Sequence, residues 1–115
     1  MFERLTDKCF YCGKLLDSGK VNLDHFVPWS FIKDDNLWNL VLACPTCNRS
    51  KNDKLPDEKY LELLVKRNYE LQIHVEHRDL VNYRQRMLRY VYGLARINGY
   101  DSIWRPKFLK SEVEE

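Results

Sequence analysis

The hydrophobic pattern changes character near Pro56: short, strand-like runs separated by turn-rich segments come before it, and helical periodicity follows. Val21 to His25 is a predicted strand, ending before Pro28 because the residue preceding proline is held extended and proline cannot donate to a ladder. Leu40 to Ala43 is a second. Between them, PWSFIKDDNLWN reads as a loop, rich in turn-forming Asp and Asn and too long for a tight hairpin. Pro45 suits the first turn of a short helix running to about Lys54, which Leu55 and Pro56 stop. From Asp57 onward, acids in the first turn and apolar residues at Leu61, Leu64, Val65 and Leu71 predict a helix. A stronger stripe follows, with Leu80, Arg84, Met87, Val91, Leu94 and Ala95 on one face and Arg78, Asn82, Gln85, Arg89 and Arg96 opposite. The two stripes lose phase between His74 and Arg78, which favours two helices over one, the second ending at Asn98-Gly99. The acidic tail SEVEE is expected to be disordered. The expected class is α+β, with residues 1–56 forming a small core and residues 57–115 a helical extension.

Length and composition narrow the possibilities. At 115 residues the chain has room for one modest domain with little apolar surface to hide unaided, so a staple is expected. No apolar run approaches the roughly 18 residues of a membrane span, and MFERLTDKCF lacks the pattern of a secretory leader. A cytoplasmic protein without disulfides and without a membrane partner is the expectation. The net charge of +2 conceals an asymmetry: residues 1–47 carry five Lys or Arg against six Asp or Glu, and residues 48–110 carry fourteen against eight. That basic second half suits a polyanionic partner, or else a solvated helix surface.

The staple is legible in the cysteines. Cys9 and Cys12 form one C-x-x-C and Cys44 and Cys47 another, the spacing of a tetrahedral four-cysteine zinc site in which each pair is a tight knuckle delivering two thiolates. The 31 residues between the pairs hold the two strands and their loop, whose ends the metal clamps together. Four thiolates close the coordination sphere, so this Zn²⁺ is expected to serve folding rather than catalysis. Disulfide or redox use of the pairs is the alternative.

A second polar group is harder to explain by folding alone. Asp24 and His25 sit side by side among Val21, Leu23, Phe26 and Val27, where a buried charge requires a partner. Singly, Asp24 reads as a turn cap, His25 as a satisfied histidine near the core, and Asn39 and Asn48 as turn or cap residues. In order, Asp24-His25, then Asn39, then Asn48 directly after the last cysteine, they resemble the HNH endonuclease family in its variant with asparagine at the third position. The stretch LDHFVPWSFIKDDNLWNLVLACPTCNRSKNDKLP is similar to the HNH domain of RNA-guided CRISPR nucleases, and the flanking C-x-x-C pairs are similar to the zinc-stapled branch. The resemblance covers roughly residues 9–56 and implies a ββα-metal fold: a strand ending in the Asp-His pair, a loop, a second strand opened by Asn39, and a helix bearing Asn48.

The roles that this resemblance implies agree with elementary chemistry. Asp24 and Asn48 would hold a hard divalent ion, Mg²⁺ or Mn²⁺, through oxygen. His25, with an ordinary pKa near about 6.5, would take a proton from the attacking water, and Asn39 would bond loop backbone and fix the orientation of His25. Adjacent residues on a regular strand point to opposite faces, so the strand is expected to end or bulge at His25.

For the nucleic-acid surface, Lys51, one turn after Asn48, is the first candidate for a phosphate contact, with Arg49 and Lys54 as looser ones. Arg78, Arg89 and Arg96 on the polar face of the last helix would extend that contact. The partner expected is DNA, double-stranded, with sequence specificity supplied from outside the motif or by a protein partner. The last helix, rich in Tyr and carrying Met87, offers a homodimer face. The competing reading is a zinc-stapled module that binds nucleic acid or protein without catalysis.

Overall fold

The computed structural model describes residues 8–16 and 20–106. Strand β1 (Asn22–His25) pairs antiparallel with β2 (Leu40–Ala43), with Asp24 opposite Val41 and His25 opposite Leu40. Between them lie the one-turn helix α1 (Trp29–Ile32) and a 3-10 turn (Leu37–Asn39). Helix α2 (Pro45–Lys51) follows β2, and then come β3 (Leu55–Pro56), α3 (Glu58–His74), α4 (Arg78–Val81), α5 (Gln85–Ile97) and β4 (Ile103–Trp104). Strand, loop, strand and helix therefore occur in the expected order, and the class is α+β.

Several local expectations need correction. The segment after Pro28 is helical for a turn, because the proline presents φ −53° at the helix N-cap and Lys33 closes the turn with a left-handed φ of 53°. Helix α2 stops at Lys51 rather than near Lys54, since Asn52 takes a positive φ of 53°. Leu55 and Pro56 do more than stop a helix. They are buried and pair in parallel with Ile103 and Trp104, and the Pro56 carbonyl accepts from the Tyr92 hydroxyl at 2.6 Å. The long second stripe is interrupted at residues 82–84, so it yields two helices, α4 and α5. On α5 the buried residues are Leu88, Tyr92 and Ala95, one position round from the expected face, and Met87 is left exposed. The tail SEVEE lies outside the described residues.

The change of pattern at Pro56 is not a break in the core. Phe26, Val41 and Leu55 from the first part share one apolar cluster with Leu64, Leu80 and Leu88 from the second. The polar contribution of α3 matters as much. Arg67 reaches across to donate to the carbonyls of Leu40 (2.7 Å) and Leu37 (3.3 Å), and its guanidinium also donates to Asn68 Oδ1. The amide of Asn68 in turn donates to the Trp38 carbonyl at 2.8 Å. Burial lowers the Arg67 pKa to about 10, yet it stays charged at neutral pH. One helix thus satisfies two carbonyls of the turn that leads into β2 and the first carbonyl of β2 itself, which fixes the segment carrying Asn39.

Asn68→Ala leaves the buried Trp38 carbonyl without its donor and is expected to destabilise the fold by about 1–3 kcal/mol in chemical denaturation; a loss below a few tenths of a kcal/mol contradicts this.

Candidate active site and cysteine cluster

The first cysteine knuckle is a tight turn, with the Gly13 amide on the Cys9 carbonyl (3.0 Å) and the Cys9 amide on the Lys14 carbonyl (2.8 Å). Gly13 has φ 78°, which a side chain disfavours. The Phe10 amide bonds the Leu42 carbonyl at 2.9 Å, fastening the knuckle to β2. The second knuckle opens α2, where Cys44 Sγ accepts from the Cys47 amide at 3.4 Å. The four Sγ atoms lie within 4.8 Å of one another, and those of Cys12 and Cys44 are 3.9 Å apart. A tetrahedral ion bonded to sulfur at about 2.3 Å sets its ligands about 3.8 Å apart, so the cluster fits a zinc-like ion with little contraction. A hydrogen bond from Cys47 brings the Cys9 thiol down to about 4, and the same contact pushes the Cys47 thiol up.

On β1 the usual alternation is inverted. Leu23 is 61% exposed whereas Asp24 is 5% exposed. Two neighbours hold the buried carboxylate. The Tyr11 hydroxyl donates to Oδ2 at 2.5 Å, and the Lys51 ammonium lies 3.3 Å from Oδ2 and 3.4 Å from Oδ1. Lys51, expected at the phosphate surface, is instead completely buried and also donates to the His25 carbonyl at 2.9 Å. Helix α2 packs on β1, and residue 51 falls on the face turned towards that strand. Burial raises the Asp24 carboxyl and lowers the Lys51 ammonium from their ordinary values, and each group's charge partly offsets the other's shift.

Strand β1 ends at His25. Beyond it the Phe26 amide bonds the Asn39 carbonyl (2.8 Å), the Val27 amide bonds Asn39 Oδ1 (2.9 Å), and Asn39 Nδ2 donates back to the Val27 carbonyl (3.0 Å). Asn39, fully buried, therefore turns the chain away from the strand path directly after the histidine. The His25 ring is partly exposed, with Nε2 2.6 Å from Asp35 Oδ1. With the proton on Nε2, the Nδ1 lone pair is the ring's free base. Asp35 had no signal of its own in the sequence, where it reads as one of several turn formers.

Asp24, His25 and Asn48 line one cleft of ≈ 270 Å³, together with Asn52 and Asp53. Carboxylate and amide oxygens form a donor set that fits a hard divalent ion better than zinc, and a carboxylate has about four lone-pair positions, so Tyr11 and Lys51 do not exhaust Asp24. Among the other predicted residues, Arg49, Lys54 and Arg96 are exposed. Arg78 is exposed but belongs to α4, and Arg89 is committed to a bidentate ion pair with Glu62, so the three arginines do not form one row on one helix. Among the described residues no helix is long and apolar enough to cross a membrane.

Residues 6–57 match the model of the HNH endonuclease family. The matched segment, a little under half of the chain, is similar to that family and contains both knuckles, β1, β2 and α2. Over 63 residues, 52% of the chain, it is 41% identical to the CRISPR-associated endonuclease Cas9 of Listeria innocua serovar 6a, and the match spans 4% of that protein's length. The Type II-C Cas9 enzyme from Actinomyces naeslundii is a structural neighbour over 90% of this chain and 12% of that one, with a TM-score of 0.42 at 21% identity.

Two outcomes are expected. Replacing Cys44 by Ala removes a ligand and the acceptor at the start of α2, so near-UV circular dichroism is expected to lose its tertiary signal, as it is on zinc chelation; a chelated protein that keeps its spectrum contradicts the staple. Lys51→Met leaves Asp24 without its cation and is expected to destabilise by about 3–5 kcal/mol at neutral pH, whereas adding Asp24→Asn to it recovers most of the loss. A carboxyl whose folded pKa is raised contributes stability below its unfolded value and loses it as pH rises through the folded value. The deficit of Lys51→Met therefore shrinks as pH falls towards 4, measured by urea unfolding at several pH values.

Proposed function

We propose that the chain is a metal-dependent endonuclease that hydrolyses DNA phosphodiester bonds, leaving a 5′ phosphate and a 3′ hydroxyl. The observation that supports this is one cleft whose lining includes Asp24, His25 at a strand end and Asn48. Residues 1–56 form the nuclease core and residues 57–115 its helical extension, with zinc in the cysteine cluster. Asp24 and Asn48 would hold Mg²⁺ or Mn²⁺. Bound there, the ion supplies positive charge for the phosphate and for the leaving 3′ oxygen.

The chain's own groups do the rest. Asp35 holds the Nε2 proton of His25 and so presents Nδ1 as the base that takes a proton from water, and the hydroxide formed attacks phosphorus. Asn39 fixes the loop that follows the ring. Arg49, Lys54, Arg78 and Arg96, all exposed, would neutralise phosphates of a duplex. Lys51 serves instead as the internal counter-charge of Asp24.

Purified protein is expected to nick supercoiled plasmid in Mg²⁺ or Mn²⁺ and to stop in EDTA. His25→Ala is expected to lower the rate by about 10²–10⁴ while leaving DNA binding intact. Retardation of DNA with no cleavage under any divalent ion overturns the proposal in favour of a non-catalytic binding module.

A further inference from the structure

Tyr11 sits between two cysteine ligands, yet its hydroxyl is used neither by the cluster nor by the base. It is 3% exposed. Its ring meets Trp104 (4.9 Å between centroids), Phe10 (5.2 Å) and Tyr60 (5.8 Å) edge-on and stacks on Phe26 at 6.5 Å. Rings on several sides leave the phenol one position, and there its hydroxyl donates to Asp24 Oδ2. The second knuckle makes a matching contribution, because Lys51 lies one turn beyond Cys47 on α2 and holds the same carboxylate from the opposite element. Each cysteine pair therefore carries one group to Asp24.

We propose that Tyr11 is a positioning residue for the divalent ion of the cleft: through its hydroxyl the cysteine knuckle fixes the Asp24 carboxylate in the orientation that ligates the metal. The role presupposes the metal-binding cleft proposed above and assigns to the cysteine cluster a second task besides folding. Hydrogen-bond partners of ligating carboxylates set the direction of the lone pair offered to the ion, and their loss typically weakens metal binding about 10- to 100-fold.

The test uses the full chain in a His25→Ala background, so that no turnover occurs, with Mn²⁺ binding followed by electron paramagnetic resonance. Tyr11→Phe keeps the ring and removes only the hydroxyl. It is expected to retain its zinc and near-UV spectrum while Mn²⁺ binds about 10- to 100-fold more weakly. With His25 restored, nicking is expected to return towards the unmodified rate at saturating Mn²⁺. A Kd for Mn²⁺ within twofold of the parent overturns the proposal. Asp24→Asn, run in parallel, separates the two levels: unaltered Mn²⁺ binding in that variant removes the cleft itself and the role of Tyr11 with it. Should Tyr11→Phe fail to fold, ¹³C resonances of the Asp24 carboxyl and the Tyr11 ring carbon bearing oxygen are followed in the unmodified protein as Mg²⁺ is added. A common midpoint is expected, and an Asp24 shift with Tyr11 unmoved overturns the proposal.

Discussion

A carboxylate held almost out of water on the inner face of a two-stranded sheet is the constraint around which this protein is arranged. Isolated there, Asp24 would be expelled or neutralised. It stays because a buried ammonium and a phenol face it, one from α2 and one from the first cysteine knuckle. Each donor comes from a segment fastened to the sheet, the knuckle through the Phe10 amide on the Leu42 carbonyl and Lys51 through the His25 carbonyl. Each of these segments also carries one cysteine pair, which ties the cysteine cluster to the site by contact.

The helical extension belongs to the same arrangement. Arg67 and Asn68 satisfy two carbonyls of the turn before β2 and the first carbonyl of β2, Asn39 at the end of that turn redirects the chain after His25, and the redirected chain leaves the imidazole at the edge of the cleft. Packing on α3 therefore reaches the candidate base through backbone, and among the described residues no side chain of the extension lines the cleft itself. Asp35 completes the histidine's surroundings from an exposed loop, making a carboxylate–imidazole pair of the kind that selects one ring nitrogen as base.

Much of this was legible in the sequence, for physical reasons that differ from element to element. The strand Leu40–Ala43, the start of α2 at Pro45 and the break after His74 follow from local rules of apolar runs, proline and helical phase. The cysteine pairs declared themselves because their spacing has few other uses. Lys51 reads as a surface residue because helical spacing from Asn48 says which residues share a face, not which way that face turns; α2 turns it towards β1. Asp35 was invisible because turn-forming aspartates are common and its partner lies ten residues away in sequence. The α5 stripe shifted because the chain uncoils at residues 82–84, where Tyr83 is buried and the phase is reset. The inversion at Leu23 and Asp24, apolar residue out and acid in, breaks the local pattern where the candidate chemistry lies, which is where such violations are expected.

The most direct test of the central claim is anomalous diffraction from crystals of the protein soaked in Mn²⁺. An ion bound by the Asp24 carboxylate and the Asn48 amide oxygen at roughly 2.0–2.4 Å, alongside a separate zinc peak among the four cysteines, is the predicted result. Manganese density elsewhere, with the Asp24 carboxylate still closed between Tyr11 and Lys51 and no ion between positions 24 and 48, would contradict it.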